Sequence, residues 1–293
     1  MRIVSLLPST TEIICDLGLQ HELLGVTIEC NWPSEVQRGR EIVVRTFADA
    51  SMTPGEIDEI VRQRLELGLD LYSLDDDALR RCNPDLILSQ DLCRVCAVAS
   101  GDVAAASARL NSDAQVLQID PQTLDDVLES ITTIALAAGV AARGREYVNA
   151  LQRRLGDVRA AVLGRTRPSV FVLEWIDPPF GAGHWVPDLV LAAGGSPVLA
   201  RPGERSVATT YEAIVDVDPD VVIVAPCGYG LEASSEQARS ILAKLPERAR
   251  VWAIDADAVM VRPGPRLVDG VEALASILHG VGAAPTNLVA RIR

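Results

Sequence analysis

Positive charge is in short supply in this 293-residue chain: 27 Lys and Arg stand against 40 Asp and Glu, a formal net charge of -13. A field of that sign repels nucleic acid and anionic membranes, which argues against either as a partner. Long apolar runs are missing too. No window approaches the ~18 consecutive apolar residues of a membrane span, so no membrane span is expected. Behind Met1-Arg2 the apolar-rich stretch 3–7 stops at Pro8, short of the roughly 7 to 15 apolar residues of a secretory leader. The expected setting is therefore cytoplasmic, and periplasmic only if a leader has been removed. The six cysteines are then expected to be reduced, with Cys15 and Cys82 acting as small buried hydrophobes in helical patterns. Enzyme signatures are absent as well. There is no Gly-x-Gly-x-x-Gly after the first strand, no phosphate loop, no Gly-x-Ser-x-Gly and no His-Glu-x-x-His. No residue is assigned a catalytic role.

What is present is an alternation of strands and helices. Residues 3–7 read as a buried strand, and Ser9-Thr10-Thr11-Glu12 has the spacing of a capping box. Ile13, Ile14 and Leu17 continue at helical period, and Gly18 is the expected stop. Further strand candidates are 24–28, 86–89, 116–119, 170–173, 221–225 and 251–254, with helical stretches between most of them. The fold class expected is α/β: two doubly wound parallel-sheet lobes joined by a rigid α-helical spacer. The spacer is the stretch 123–164, helical throughout except at Ala138-Gly139-Val140. Two helices with a break, or one long helix after Gly139, both fit. The lobes are then residues 1–122 and 165–293, sizes suited to one domain each. Residues 77–88 echo 212–223: an acid opens a helix, Pro84-Asp85 or Pro219-Asp220 ends it seven residues later, and a buried strand follows. Two lobes of related design explain the echo.

These features together resemble a known family, the ABC-importer substrate-binding proteins whose lobes are joined by one rigid helix. The matching residues are Ser5-Leu6-Leu7-Pro8-Ser9-Thr10-Thr11-Glu12-Ile13-Ile14 with Leu17-Gly18, the two Pro-Asp strands, the spacer, and Arg262-Pro263-Gly264-Pro265-Arg266 before an apolar helix. The nearest likeness is to the cobalamin-binding branch. The resemblance implies a small ligand enclosed between the lobes and an ABC permease engaged by one acid on each lobe, here Asp77 and Glu212. The plainer reading of each acid is a helix N-terminal carboxylate worth roughly 0.3–1 kcal/mol.

In an open sheet, ligands gather where strands end and helix N-termini begin. The segments that follow the strands carry Cys30 and Trp32, Cys93 and Cys96, Trp175, His184 and Trp185, and Cys227 and Tyr229. Aromatic residues are only 4% of the chain, so three of the four tryptophans in these segments suggest flat apolar walls for a conjugated ligand. Pro8, Ser9 and Thr10 offer a helix N-terminus. His184 can be an axial ligand or a ring packed beside Trp185, and Arg262 can meet an anionic group or backbone carbonyls. Cys93-x-x-Cys96 with Cys30 and Cys227 can supply four thiolates to zinc or an iron–sulfur cluster, act as a redox pair in part, or simply line the site. The expected function is enclosure of a corrinoid such as cobalamin, or a related tetrapyrrole or metal chelate, for transport, storage or handover. The alternative is a cytosolic metal- or cluster-dependent enzyme on the same scaffold.

Overall fold

The computed structural model describes residues 1–46, 52–90, 114–282 and 285–293, and the chain divides into two α/β units. Residues 1–121 and 128–148 form the first. Its strands are β1 (Ile3–Ser5), β2 (Leu23–Thr27), β3 (Glu41–Thr46), β4 (Tyr72–Leu74), β5 (Leu86–Ser89) and β6 (Gln115–Gln118), in spatial order β4-β3-β2-β1-β5-β6. All are parallel except β4, which pairs antiparallel with β3 at one edge. The chain builds outward from β1 to both sides, which is double winding. Every residue of β1 and β5 is buried, as expected of parallel strands covered on both faces. Val4, Val43, Leu79 and Ile87 pack with Cys82 in one core. Burial raises the Cys82 thiol to about 11, and does the same to the half-buried Cys15, so both are inert packing groups at neutral pH.

The expected capping box at Ser9 does not form. The first helix is Pro8–Asp16, capped by Leu7 without a side-chain bond. Pro8 takes the first helical position, where its missing N–H costs nothing, so Ser9 falls inside the helix rather than ahead of it. A capping box occurs instead at Thr53 and Glu56, ahead of the helix Pro54–Glu66. There the proline follows the capping residue.

Residues 122–127 and 149–293 form the second unit. Its strands are β7 (Ser169–Ile176), β8 (Pro179–Gly181), β9 (Ser196–Pro197), β10 (Val207–Ala208), β11 (Val221–Val224), β12 (Arg250–Ile254) and β13 (Val289–Arg291). The order is β10-β8-β7-β11-β12-β13, with β9 beside β7. The parallel centre β7, β11, β12 was legible in the sequence; the antiparallel flanks β8 and β13 are three-residue pieces with too few positions to show a period. Phe171, Leu173, Ile214, Val222, Val224 and Val251 are wholly buried in its core.

The middle of the chain is two helices, Leu124–Ala137 and Ala141–Val162, broken where Gly139 adopts φ 73. The internal echo is structural as well. Helices Asp76–Cys82 and Tyr211–Val217 are capped by Asp75 and Thr210, and end on left-handed Asn83 and Asp218 at φ 42 and 43. The following aspartates then fasten the start of a neighbouring central strand. Asp85 accepts from Arg2 N at 2.7 Å, and Asp220 from Ser169 N at 2.7 Å.

Candidate functional site

In the first unit, the ends of β1 and β2 meet in a buried hydroxyl network. Thr11 Oγ1 donates to Ser5 Oγ at 2.8 Å, and Ser5 Oγ lies 2.6 Å from Thr10 Oγ1. Cys30, 1% exposed, places its sulfur 3.1 Å from Thr11 Oγ1 and 3.3 Å from Thr27 Oγ1. Ser9 and Thr10 are buried, so their hydroxyls belong to the interior of this unit and not to a ligand wall; Pro8 alone of the three is partly exposed. Trp32 is different. It is 44% exposed on a loop that Gln37 secures, its amide donating to Ile28 O and Cys30 O at 2.8 Å each.

In the second unit, the end of β7 presents Glu174 and Trp175. The Glu174 carboxylate accepts from Ser206 Oγ at 2.8 Å, and that hydroxyl accepts from Gly183 N at 3.2 Å. Gly183 is required here: a Cβ would run into the backbone of Arg205 and Ser206. Trp175 and Tyr229, at the ends of the adjacent strands β7 and β11, have ring centroids 6.0 Å apart at 51°. The Trp175 indole N–H donates to Asp177 O at 3.1 Å, which fixes the ring. Burial raises the Tyr229 phenol above its usual value, so it is a neutral hydroxyl donor.

His184 sits at φ 53, an uncommon conformation for a side-chain-bearing residue. Two backbone bonds hold it there: His184 N donates to Glu204 O at 2.6 Å, and Gly203 N donates to His184 O at 3.0 Å. Burial, with Arg205 nearby, lowers its pKa, so the ring is neutral at pH 7 and has a lone pair to offer. Trp185 departs from expectation. It is 6% exposed, and its indole N–H donates to Met260 O at 2.8 Å, so it packs the unit's interior rather than lining a wall. Arg262 is also committed, 2.7 Å from Asp257 and itself only 10% exposed. Asp255, one strand end away, is raised by burial and by Asp257. Glu174 follows a strand and is legible as a strand-end residue, but Ser206 is not, since nothing in the spacing announces a pair joined across 32 residues.

Of the four cysteines suggested as metal ligands, Cys93 and Cys96 lie outside the described residues. Cys30 is absorbed in its hydroxyl network, and Cys227 is exposed on the second unit. Among the described residues no cluster of His, Cys, Asp and Glu is arranged to hold a metal ion. No described helix is long and apolar enough to cross a membrane. Asp77 and Glu212 each occupy the second position of a seven-residue helix. Asp77 pairs with Arg80 and is 73% exposed, and Glu212 is exposed.

Two mixed sheets with polar and aromatic side chains at their strand ends make this a two-unit α/β protein. The chain belongs to the periplasmic binding protein family, whose model matches residues 3–263. It is 26% identical over 289 residues to an uncharacterized ABC transporter substrate-binding lipoprotein, YvrC, of Bacillus subtilis, covering 95% of this chain and 80% of that one. Among solved structures it resembles a periplasmic heme-binding protein from Pseudomonas aeruginosa at TM-score 0.72 and 18% identity, covering 99% of this chain and 97% of that one. It also resembles the periplasmic vitamin B12-binding protein BtuF of Vibrio cholerae at TM-score 0.66 and 21% identity, covering 94% and 96%. The family is one of binding proteins, and the enzyme alternative falls with it. The cytoplasmic expectation is overturned too: the family is periplasmic and the Bacillus relative is a lipoprotein. The composition of the first few residues was the wrong place to read the compartment.

Proposed function

We propose that this chain is the substrate-binding component of an ABC importer, and that its ligand is a corrinoid or a related tetrapyrrole or metal chelate. The observation that carries the reading is the Trp175–Tyr229 pair at adjacent strand ends, which offers tilted flat faces to a conjugated ring system. His184 supports it with a neutral imidazole near the same end of the unit, and exposed Trp32 adds an aromatic surface on the first unit. Relatives of the same fold bind heme and vitamin B12, and a relative in sequence serves ABC transport. Asp77 and Glu212 are the residues we assign to permease docking.

The test is a titration of the purified protein with hydroxocobalamin and, in parallel, with hemin, followed by tryptophan quenching and ligand absorbance. The expected outcome is saturable one-to-one binding of one of them at micromolar affinity or tighter. Trp175→Ala or Tyr229→Ala should weaken it at least about tenfold, in line with the loss of an aromatic anchor. Failure of both compounds to bind would remove the corrinoid and tetrapyrrole readings while leaving the family assignment intact.

A further inference from the structure

An open cavity of about 770 Å³ lies on the second unit, at the opposite end of its sheet from Trp175 and Tyr229. Its lining includes Pro168 just ahead of β7, Asp218 and Asp220 just ahead of β11, and Arg250, the first residue of β12. Three guanidiniums, Arg165, Arg248 and Arg250, surround it together with His279. In a chain with 27 basic and 40 acidic residues, that grouping runs against the composition.

The arginines are held without being used up. Arg165 donates to His279 O at 2.7 Å and Arg250 to Ile277 O at 3.1 Å, so carbonyls at the end of the helix Leu267–His279 anchor both side chains. Each bond spends one of the five N–H donors of a guanidinium. Arg248 is exposed and has no ion-pair partner among the described residues. Asp218 and Asp220 subtract from the positive charge, but one Asp220 oxygen is occupied by Ser169 N at 2.7 Å and Ser169 Oγ at 2.8 Å. Neither aspartate forms a salt bridge with a lining arginine among the described residues. Arg250 nevertheless lies near enough to Asp220 to help hold its carboxyl below the usual value, which leaves Arg165 and Arg248 as the arginines with most charge to offer.

We infer that this cavity is a binding site for a phosphate group, either free phosphate or a phosphate ester such as a lipid headgroup. Fork-shaped guanidinium donors match the oxygens of phosphate and bind it bidentately, and anchored forks lose less freedom on binding. The volume exceeds a lone phosphate and falls in the range of small-ligand pockets, which leaves room for an ester substituent. The lining lies at the strand starts and the Trp175–Tyr229 pair beyond the strand ends, so this site is tested separately from the ring-shaped ligand proposed above.

The experiment is a calorimetric titration of the full chain with inorganic phosphate, against chloride at equal ionic strength, paired with sedimentation on phosphatidylglycerol and on phosphatidylcholine vesicles. One-to-one phosphate binding is expected, weakened at least about tenfold by Arg248→Ala, partly restored by Arg248→Lys, and unaffected by Trp175→Ala. Arg165→Ala, checked for folding by circular dichroism, gives a second loss. Phosphate binding without vesicle binding identifies a soluble ligand. Vesicle binding that Arg248→Ala abolishes identifies a lipid source. No phosphate heat together with no Arg248-dependent vesicle binding would overturn the inference, as would binding that survives both arginine variants.

Discussion

His184 joins a left-handed backbone to a half-buried imidazole with a lowered pKa. Its backbone is held in a left-handed conformation by the turn at Gly203 and Glu204, and the cost of such a conformation is typical of functional positions. Because its folded pKa lies below the ordinary 6.5, the unfolded chain takes up the proton first as pH falls. The unfolded state therefore binds more protons in the window just below 6.5, and stability falls on acidification through it. A proton NMR titration should place the His184 midpoint under 6.5. His184→Gln should flatten the pH dependence of urea unfolding in that window, and an unchanged slope would count against the burial argument. Arg262 carries the opposite lesson. With Arg266 it flanks the turn before a helix, where the sequence leaves an anionic group or backbone carbonyls open as its partner, and the fold gives it to the Asp257 carboxylate. The sequence held both residues but not their distance.

At the scale of elements, the order of one proline and one hydroxyl residue separates a capped helix from an uncapped one. Pro8 precedes Ser9 and takes the first helical position; Thr53 precedes Pro54 and keeps the cap, with its hydroxyl accepting from Glu56 N at 3.3 Å. Thr53→Ala should lower the stability of the first unit by about 1 kcal/mol, a typical cost of a lost N-cap, measured by urea unfolding. Thr53→Asn should retain most of it. The Pro-Asp elements show how far a pattern can be trusted. Both helix-to-strand joints were legible because proline stops a helix and a buried apolar run follows. The left-handed Asn83 and Asp218, and the bonds from Asp85 and Asp220 to neighbouring strands, were not. Those depend on which strand lies alongside.

Over the whole molecule, the net charge of -13 and the acids at Asp77 and Glu212 suit a basic partner surface. We assign the permease contact to these two residues. Charge reversal, Asp77→Lys with Glu212→Lys, should reduce ligand uptake by reconstituted importer at least about tenfold, since placing like charges against a partner costs several kcal/mol. The same variant should keep its ligand affinity, because both residues stand at solvent-exposed helix starts. Uptake at the parental level would reject the assignment. We also propose that residues 123–164 link an N-terminal lobe, 1–122, to a C-terminal lobe, 165–293. The unit division falls inside both helices of that stretch.

The sequence by itself determined the α/β class, the central strands of both sheets and the family likeness. Buried parallel strands, helix periods and proline stops are local properties of consecutive residues. Tertiary structure alone decided which polar groups remain available. Burial turned Trp185, Ser9 and Cys30 inward, folding paired Arg262 with Asp257 and Glu174 with Ser206, and strand ends far apart in the chain brought Trp175 to Tyr229. The physical reason is that a side chain's role rests on its neighbours in space, and for a strand-end residue most of those come from other strands.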